Sequence, residues 1–338
     1  MFRSMAASVA CALVGVSAFA SAGYGQSKEG QLTVLVGTSA GGSFDLVGRV
    51  VSRTLVKYLP GNPTPVPQNM PGAGSMIAAN YLYGVAPQDG SVVGVINPAL
   101  AFNQVFDNSN VRFDVAKFNW IGSPVDSLIA VAMWHTSPVK TLQDATRQEV
   151  MVGAPVQTSP DAMSYYLLNH VLGTKFNVVT GYQGGKDLDL AIERGEIGGR
   201  GGQSWSGLKA IHPDWIRDKK VIPIVQIGLQ PADDLDGVPM LSDLVSDPQR
   251  RKVVDLYSAA TAVGRPLVMG PGVPAQAVAA MRAAFDKTMK DPDFIAEAEK
   301  SGLDVTPIPG EAIQREMAKF QGLSPELVAL TKELVAPK

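Results

Sequence analysis

Hydrophobic and polar positions along the chain alternate between short apolar runs and longer amphipathic ones. Leu32–Val36 is a continuous apolar run, which predicts a buried strand. Phe44–Leu59 carries Val47, Val50, Val51, Thr54, Leu55 and Tyr58 at helical spacing, and Pro60-Gly61 stops that helix. Pro63–Pro67 reads as extended, because alternating prolines forbid helix. A helix over Met76–Val85, a turn at Pro87–Gly90 and a strand over Val92–Ile96 follow. The order β-loop-α-β-loop-α-β predicts a doubly wound sheet.

The same pattern continues. Asn97-Pro98 opens a short helix, Asn119–Gly122 reads as a strand, and Ser123-Pro124 marks a crossing to a second lobe. There, strands are expected over Leu128–Trp134, Val150–Gly153, Phe176–Thr180 and Val221–Ile227. Helices are expected over Leu142–Arg147, Asp161–Leu172 and Lys186–Arg194, with His212-Pro213 as a turn. A last strand over Pro266–Met269 precedes a helix opened by Gly272-Val273-Pro274, whose buried stripe is Val278, Met281, Phe285 and Met289. Helices near Ile313–Phe320 and Pro325–Leu334 close the chain. The expected architecture is α/β, two doubly wound lobes with a ligand cleft between them. Residues 27–122 with 231–338 form one lobe and residues 123–230 the other.

Composition narrows the function classes. The chain has 338 residues, 46% hydrophobic and 18% charged, which gives ample core and argues against disorder. Its formal net charge of -2 carries no footprint for nucleic acid. Residues 1–26 read as a secretory signal: Arg3 supplies the positive end, Met5–Ala20 the apolar run, and cleavage is expected near Ala20 or Ala22. Cys11, the one cysteine, lies inside that signal, so the mature chain is expected to lack disulfides and thiol chemistry. A periplasmic location follows as the expectation.

The candidate chemistry lies in glycine loops. Gly37–Asp45 reads G-T-S-A-G-G-S-F-D between a strand and a helix, where free amides at a helix start hold an anion. The same residues match G-x-S-x-G, the nucleophile elbow of a serine esterase using Ser39. Asn69–Ser75, Ala154–Pro160 and Gly181–Gly185 are further loops leading to helices. Ligands of open α/β sheets bind beyond the carboxyl ends of strands, so two such lobes present several helix N-termini to one cleft. Arg200, flanked by Gly198-Gly199 and Gly201-Gly202, is a candidate clamp for a second carboxylate. The esterase reading is weaker: the helix starts too late after Ser39 for a sharp elbow. Only His135, His170 and His212 are available as bases, and no spacing supports a metal site. No cofactor is expected.

These loops resemble those of the solute-binding receptors of tripartite tricarboxylate transporters, the TctC or Bug family. Its A-P-G-G-G-T-D loop is matched by Ser39–Asp45, and its N-x-P-G-A-G-G loop by Asn69–Ser75, followed by Ala86-Pro87-Gln88-Asp89-Gly90. Its G-S-T-P and Y-K-G-G elements are matched by Gln157–Pro160 and Tyr182–Gly185. The resemblance spans roughly residues 30–308. It implies a type II periplasmic binding protein that captures a small organic acid, often a dicarboxylate, for membrane transporter subunits, acts as a monomer and is not an enzyme. Carried over, the expected ligand-binding residues are Ser39, Gly42, Ser43, Phe44, Gly72, Ala73, Gly74, Thr158, Ser159 and Tyr182; Asp45, Asn97 and Arg200 are counted with them. Phe44 departs from the family pattern, which has a smaller polar residue, and Arg200 stands where many members carry an acid. A sensor passing its ligand's signal to a kinase is the alternative within the binding class.

Overall fold

The computed structural model describes residues 30–106, 109–157, 159–182 and 184–337. The expected signal, residues 1–26 with Cys11, lies outside them. The first unit opens with strand β1 (Gln31–Val36), helix α1 (Ser43–Leu55), β2 (Thr64–Asn69), α2 (Met76–Gly84), β3 (Val92–Val95), α3 (Leu100–Val105) and β4 (Asn119–Ser123). Helix α1 forms for the reason its spacing predicts: Val47, Val50, Val51 and Leu55 bury against a cluster that includes Val34, Val36 and Val95. At Gly48 an added Cβ would sit 3.0 Å from a Val36 methyl, so the helix can lie close on the sheet.

A second group follows: β5 (Ile129–Trp134), α4 (Leu142–Arg147), β6 (Val150–Ala154), α5 (Pro160–Leu172), β7 (Phe176–Thr180), α6 (Gly185–Glu193), β8 (Gly199–Arg200), α7 (Trp205–Ile211), α8 (Pro213–Arg217) and β9 (Val221–Ile227). The chain then runs through α9 (Leu241–Leu244), α10 (Pro248–Ala262), β10 (Leu267–Met269), α11 (Ala275–Thr288), α12 (Pro292–Lys300), β11 (Ile308–Pro309), α13 (Gly310–Ala318) and α14 (Pro325–Leu334).

Six strands form one sheet in the order β11-β4-β10-β3-β1-β2. β1 pairs in parallel with both β2 and β3, whereas β10 enters antiparallel between β3 and β4. The extended Pro63–Pro67 stretch belongs to β2, and Pro65 and Pro67 are tolerated there because β2 is the sheet's edge. β5–β9 are not one doubly wound sheet. β5 lies between β8 and β9 in an antiparallel set, and β6 pairs with β7 in parallel. The Gly198 amide donates to the Met151 carbonyl at 2.7 Å and ties the two sets together.

Helix α10 links both groups. Its Val253, Val254, Leu256, Tyr257, Ala259 and Ala260 are buried in a cluster that also holds Val131 and Tyr165 from the second group and Ile313 and Met317 from α13. Tyr257 Oη lies 2.9 Å from Ser164 Oγ and donates to the Pro160 carbonyl at 3.0 Å. The sequence reading left this helix out, along with α7, α8, α9 and α12. His212-Pro213 is not a plain turn: it ends α7 and starts α8. Among the described residues no helix is long and apolar enough to cross a membrane.

Candidate functional site: a cleft with one unpaired arginine

Strand directions decide where the loops meet. β1, β2 and β3 are parallel, so the loops after them (Gly37–Gly42, Met70–Ser75 and Ile96–Ala99) leave the same edge of the sheet. β10 runs the opposite way, with Leu267 paired to Val95, so the residues entering it reach that edge as well. Arg265 is therefore brought beside the glycine loops from a segment 220 positions further along the chain than Asp45.

The first loop is held by a carboxylate. Asp45 is buried and accepts hydrogen bonds from the Gly41 amide (2.9 Å), Arg49 Nε (2.9 Å) and Asn69 Nδ2 (2.9 Å). Asn69 Nδ2 also donates to the Thr38 carbonyl at 2.9 Å, which ties the second loop's root to the first. Burial alone would raise the Asp45 carboxyl, but hydrogen bonds from Arg49, Gly41 and Asn69, with the Arg49 charge, hold it at about 2. The side chain of Asp45, counted among the expected ligand contacts, is thus spent on protein partners. It positions the loop.

Ser39, Gly42 and Ser43 are exposed, and no side chain caps the first turn of α1. The second loop runs through four consecutive left-handed residues: Gly72 (φ 138°), Ala73 (φ 46°), Gly74 (φ 63°) and Ser75 (φ 79°). Ala73 and Ser75 are not glycines, and such strain accumulates at functional segments. Ser75 lies against Gly37, where a Cβ would come within 2.6 Å of the Ser75 side chain. The Thr38 and Ser75 hydroxyls are buried and have no hydrogen-bond partner. Buried hydroxyls are rarely left that way.

Beside this edge lies a cavity of about 210 Å³ lined by Phe44, Asn97, Pro98, Ala99, Ser127, Ile129, Pro160, Gly202, Gln203, Ser204, Ala260, Thr261, Gly264 and Arg265. It draws on both groups of strands and on α10. A larger cleft of about 700 Å³ lies elsewhere, lined among others by Asp126, Asp255 and Glu316 against Arg251, Arg315 and Lys319. Its charges balance and none of the glycine loops reaches it, so the smaller cavity is the candidate site.

Of the expected contacts, Phe44 and Asn97 line this cavity. Asn97 Oδ1 is tied to the Ala99 amide at 3.0 Å. Ser159 caps α5, accepting from the Ala162 amide and donating to the Val156 carbonyl at 2.8 Å. Tyr182 packs beside Gly153, and burial raises its phenol pKa. Thr158 lies outside the described residues.

Arg200 does not serve as an open clamp. It is 4% exposed and bonds the Gly185 carbonyl (2.9 Å), Asp189 Oδ1 (2.9 Å) and Gln203 Oε1 (3.0 Å), with Asp161 at 3.7 Å. The glycines around it have another cause. A Cβ at Gly199 would lie 2.3 Å from the Ala132 carbonyl oxygen, at Gly201 2.5 Å from the Tyr165 ring, and at Gly202 2.2 Å from the Asp161 amide. They let the strand press against β5 and α5, and so they bury the arginine instead of freeing it. Arg200 acts on the cavity through Gln203.

Arg265 is the residue the sequence reading missed. No carboxylate among the described residues pairs with it, its Nε is buried without a hydrogen-bond partner, and its guanidinium carbon lies 5.9 Å from the Phe44 ring centroid. Burial pushes its pKa below that of an exposed arginine, which still leaves it protonated. Gly264 (φ 67°) and the Ser123 hydroxyl, which accepts from the Arg265 amide at 3.0 Å, fix its backbone. The Gly-Arg-Pro punctuation after α10 was the available signal.

Two of the three histidines have partners other than Ser39. His212 Nε2 lies 2.9 Å from Asp189 Oδ2 with its ring stacked on Trp215, and His170 Nε2 lies 3.1 Å from the Ala336 carbonyl. Among the described residues no hydrogen bond joins Ser39 to a histidine, and no acidic or histidine cluster suits a metal.

No protein-family model and no curated protein matches the sequence. Solved structures do match over nearly the whole chain. A TctC solute binding protein from Polaromonas is 20% identical, covers 90% of this chain and 97% of its own, and superposes with a TM-score of 0.70. The periplasmic binding protein BugD is 17% identical over 92% and 99%, with a TM-score of 0.60. An R. palustris protein solved with adipate is 18% identical over 91% and 98%, with a TM-score of 0.62. At these identities the likeness establishes the fold, that of type II periplasmic binding proteins.

Two tests follow. Replacing Arg200 by Met strands Asp189 and Asp161 and is expected to cost about 3–5 kcal/mol of unfolding free energy in urea titration; a loss under about 1 kcal/mol would show the pair is not structural. Asp45, with its carboxyl at about 2 when folded against 3.8 otherwise, contributes ~2 kcal/mol above pH about 4, and that stability is lost as pH falls toward 2. Asp45→Asn is expected to flatten that part of the stability–pH curve, and an unchanged slope would contradict the assignment.

Proposed function

We propose that the protein is a periplasmic solute receptor whose two lobes, residues 27–122 with 231–338 and residues 123–230, close over a small organic acid for delivery to membrane subunits of a tripartite tricarboxylate-type transporter. The observation that carries this reading is the N-terminus of α1. It is exposed, without a side-chain cap, locked in place by Asp45, and beside the left-handed run Gly72–Ser75 on the same sheet edge. Amides at such an end, with the helix dipole behind them, favour a carboxylate. Closing the lobes excludes water, which makes each of these dipoles worth more.

The fold supports the reading, since proteins of this shape include solute-binding proteins and one solved with adipate. Ser39, Gly42, Ser43, Gly72, Ala73 and Gly74 supply amides and hydroxyls, Thr38 and Ser75 add the two unsatisfied hydroxyls, and Phe44 and Asn97 line the floor. Against the part of an enzyme nucleophile for Ser39, no hydrogen bond joins it to a histidine among the described residues.

A thermal-shift screen with mono-, di- and tricarboxylates and aromatic acids tests this. A ligand at 100 times its dissociation constant adds about 2.7 kcal/mol of stability, a rise of several degrees. At least one acid is expected to give such a rise; no response to any organic anion would refute the proposal.

A further inference from the structure

We infer that Arg265 is the charge partner of the bound acid, and that the site selects acids lacking a free ammonium group. This rests on the reading of the cleft as an acid site and names which acids it takes. The starting observation is an imbalance. Among the described residues the cavity lining holds one cationic side chain and no acidic one, while the other arginine near it, Arg200, is ion-paired with Asp189 and Asp161 and bonded to Gln203.

Arg265 is half-buried, with its Nε out of contact with solvent, and partial transfer of a charge out of water is unfavourable until something compensates it. The Arg265 guanidinium lies beside the face of Phe44, and its Nε–H donates to nothing among the described residues. Such an arrangement persists where a ligand completes it. A carboxylate suits it best, since a guanidinium fork matches both carboxylate oxygens.

Phe44 follows the Gly42 cap of α1 by two residues and its ring lies beside Arg265, so the arginine adjoins the start of that helix. An acid held by Arg265 at one end thus has an apolar surface under its carbon chain and helix amides beyond it. The volume, about 210 Å³, limits that chain to a small acid. An α-ammonium group would find no carboxylate in the lining and would stand next to Arg265, which is repulsive. Amino acids should therefore be refused where their deaminated counterparts are taken.

The experiment uses matched pairs at neutral pH: succinate and aspartate, glutarate and glutamate, adipate and 2-aminoadipate, phenylacetate and phenylglycine, titrated calorimetrically against wild type, Arg265→Gln and Arg265→Lys. At least one acid is expected to bind wild type at least about tenfold more tightly than its amino partner. Arg265→Gln should weaken that acid at least about tenfold, and Arg265→Lys should restore part of the loss. Without ligand, Arg265→Gln should melt no lower than wild type, because it removes an uncompensated charge at the loss of a single contact, that with the Phe44 ring. Wild type that binds an acid while Arg265→Gln binds it within twofold overturns the role of Arg265. Equal binding of an amino partner overturns the selectivity. A ligand-free melting temperature that falls sharply in both variants shows a structural arginine and also overturns the inference. Wild type that binds none of the acids refutes the receptor reading itself, which is a different result from any of these.

Discussion

Strand direction is the constraint on which the rest depends. Because β1, β2 and β3 run in parallel and β10 is inserted against them, three loop ends and the entry to β10 emerge at one edge of the sheet. That edge is where open α/β sheets accept ligands. Had β10 run with its neighbours, Gly264-Arg265-Pro266 would sit at the opposite edge and the cavity would hold no cation. The antiparallel insertion in turn depends on α10, which carries the chain back between the two groups of strands and ends at Ala262 beside the crossover, where the Ser127 amide donates to its carbonyl at 2.9 Å.

Three ionic arrangements divide the work around that edge. Asp45 is saturated by Gly41, Arg49 and Asn69, so it fixes the loop and does not repel an incoming anion as strongly as a free carboxylate would. Arg200 is paired with Asp189 and bonded to Gln203, with Asp161 nearby, and cements β8 to α5 and α6. Arg265 alone of the three has no ion pair among the described residues, and it is the one that lines the cavity. On the proposed reading, stability and binding use different charges. The strained run at Gly72–Ser75 and the orphan hydroxyls of Thr38 and Ser75 each cost stability in the ligand-free chain.

Much of the fold was legible because the relevant physics is local. Val221–Ile227, Phe176–Thr180 and Pro325–Leu334 coincide with their expected limits, since apolar runs and Ser-Pro starts announce themselves over a few residues. The loops after β1 and β2 were legible for the same reason. Helix α10 was not: its buried face is Ser258, Ala259, Ala260 and Ala262 near one end, small residues that give little hydrophobic periodicity, although Asp247-Pro248 marks its start. Arg200 and Arg265 were misjudged together for a non-local reason. Glycines beside Arg200 read as open space, but they are tight contacts with β5 and α5. Whether an arginine is paired depends on residues 11 to 39 positions away in the case of Arg200, and for Arg265 on the absence of any such acid among the described residues.

A crystal structure of the protein with the tightest-binding acid bears most directly on the central claim, that this edge holds an organic anion against the unpaired arginine. The expected result is a ligand carboxylate within about 3 Å of the Arg265 guanidinium, its carbon chain on Phe44, and Arg200 still bound to Asp189. A ligand carboxylate seated on Arg200 with Asp189 displaced, or an acid bound with Arg265 left unpaired, would contradict it.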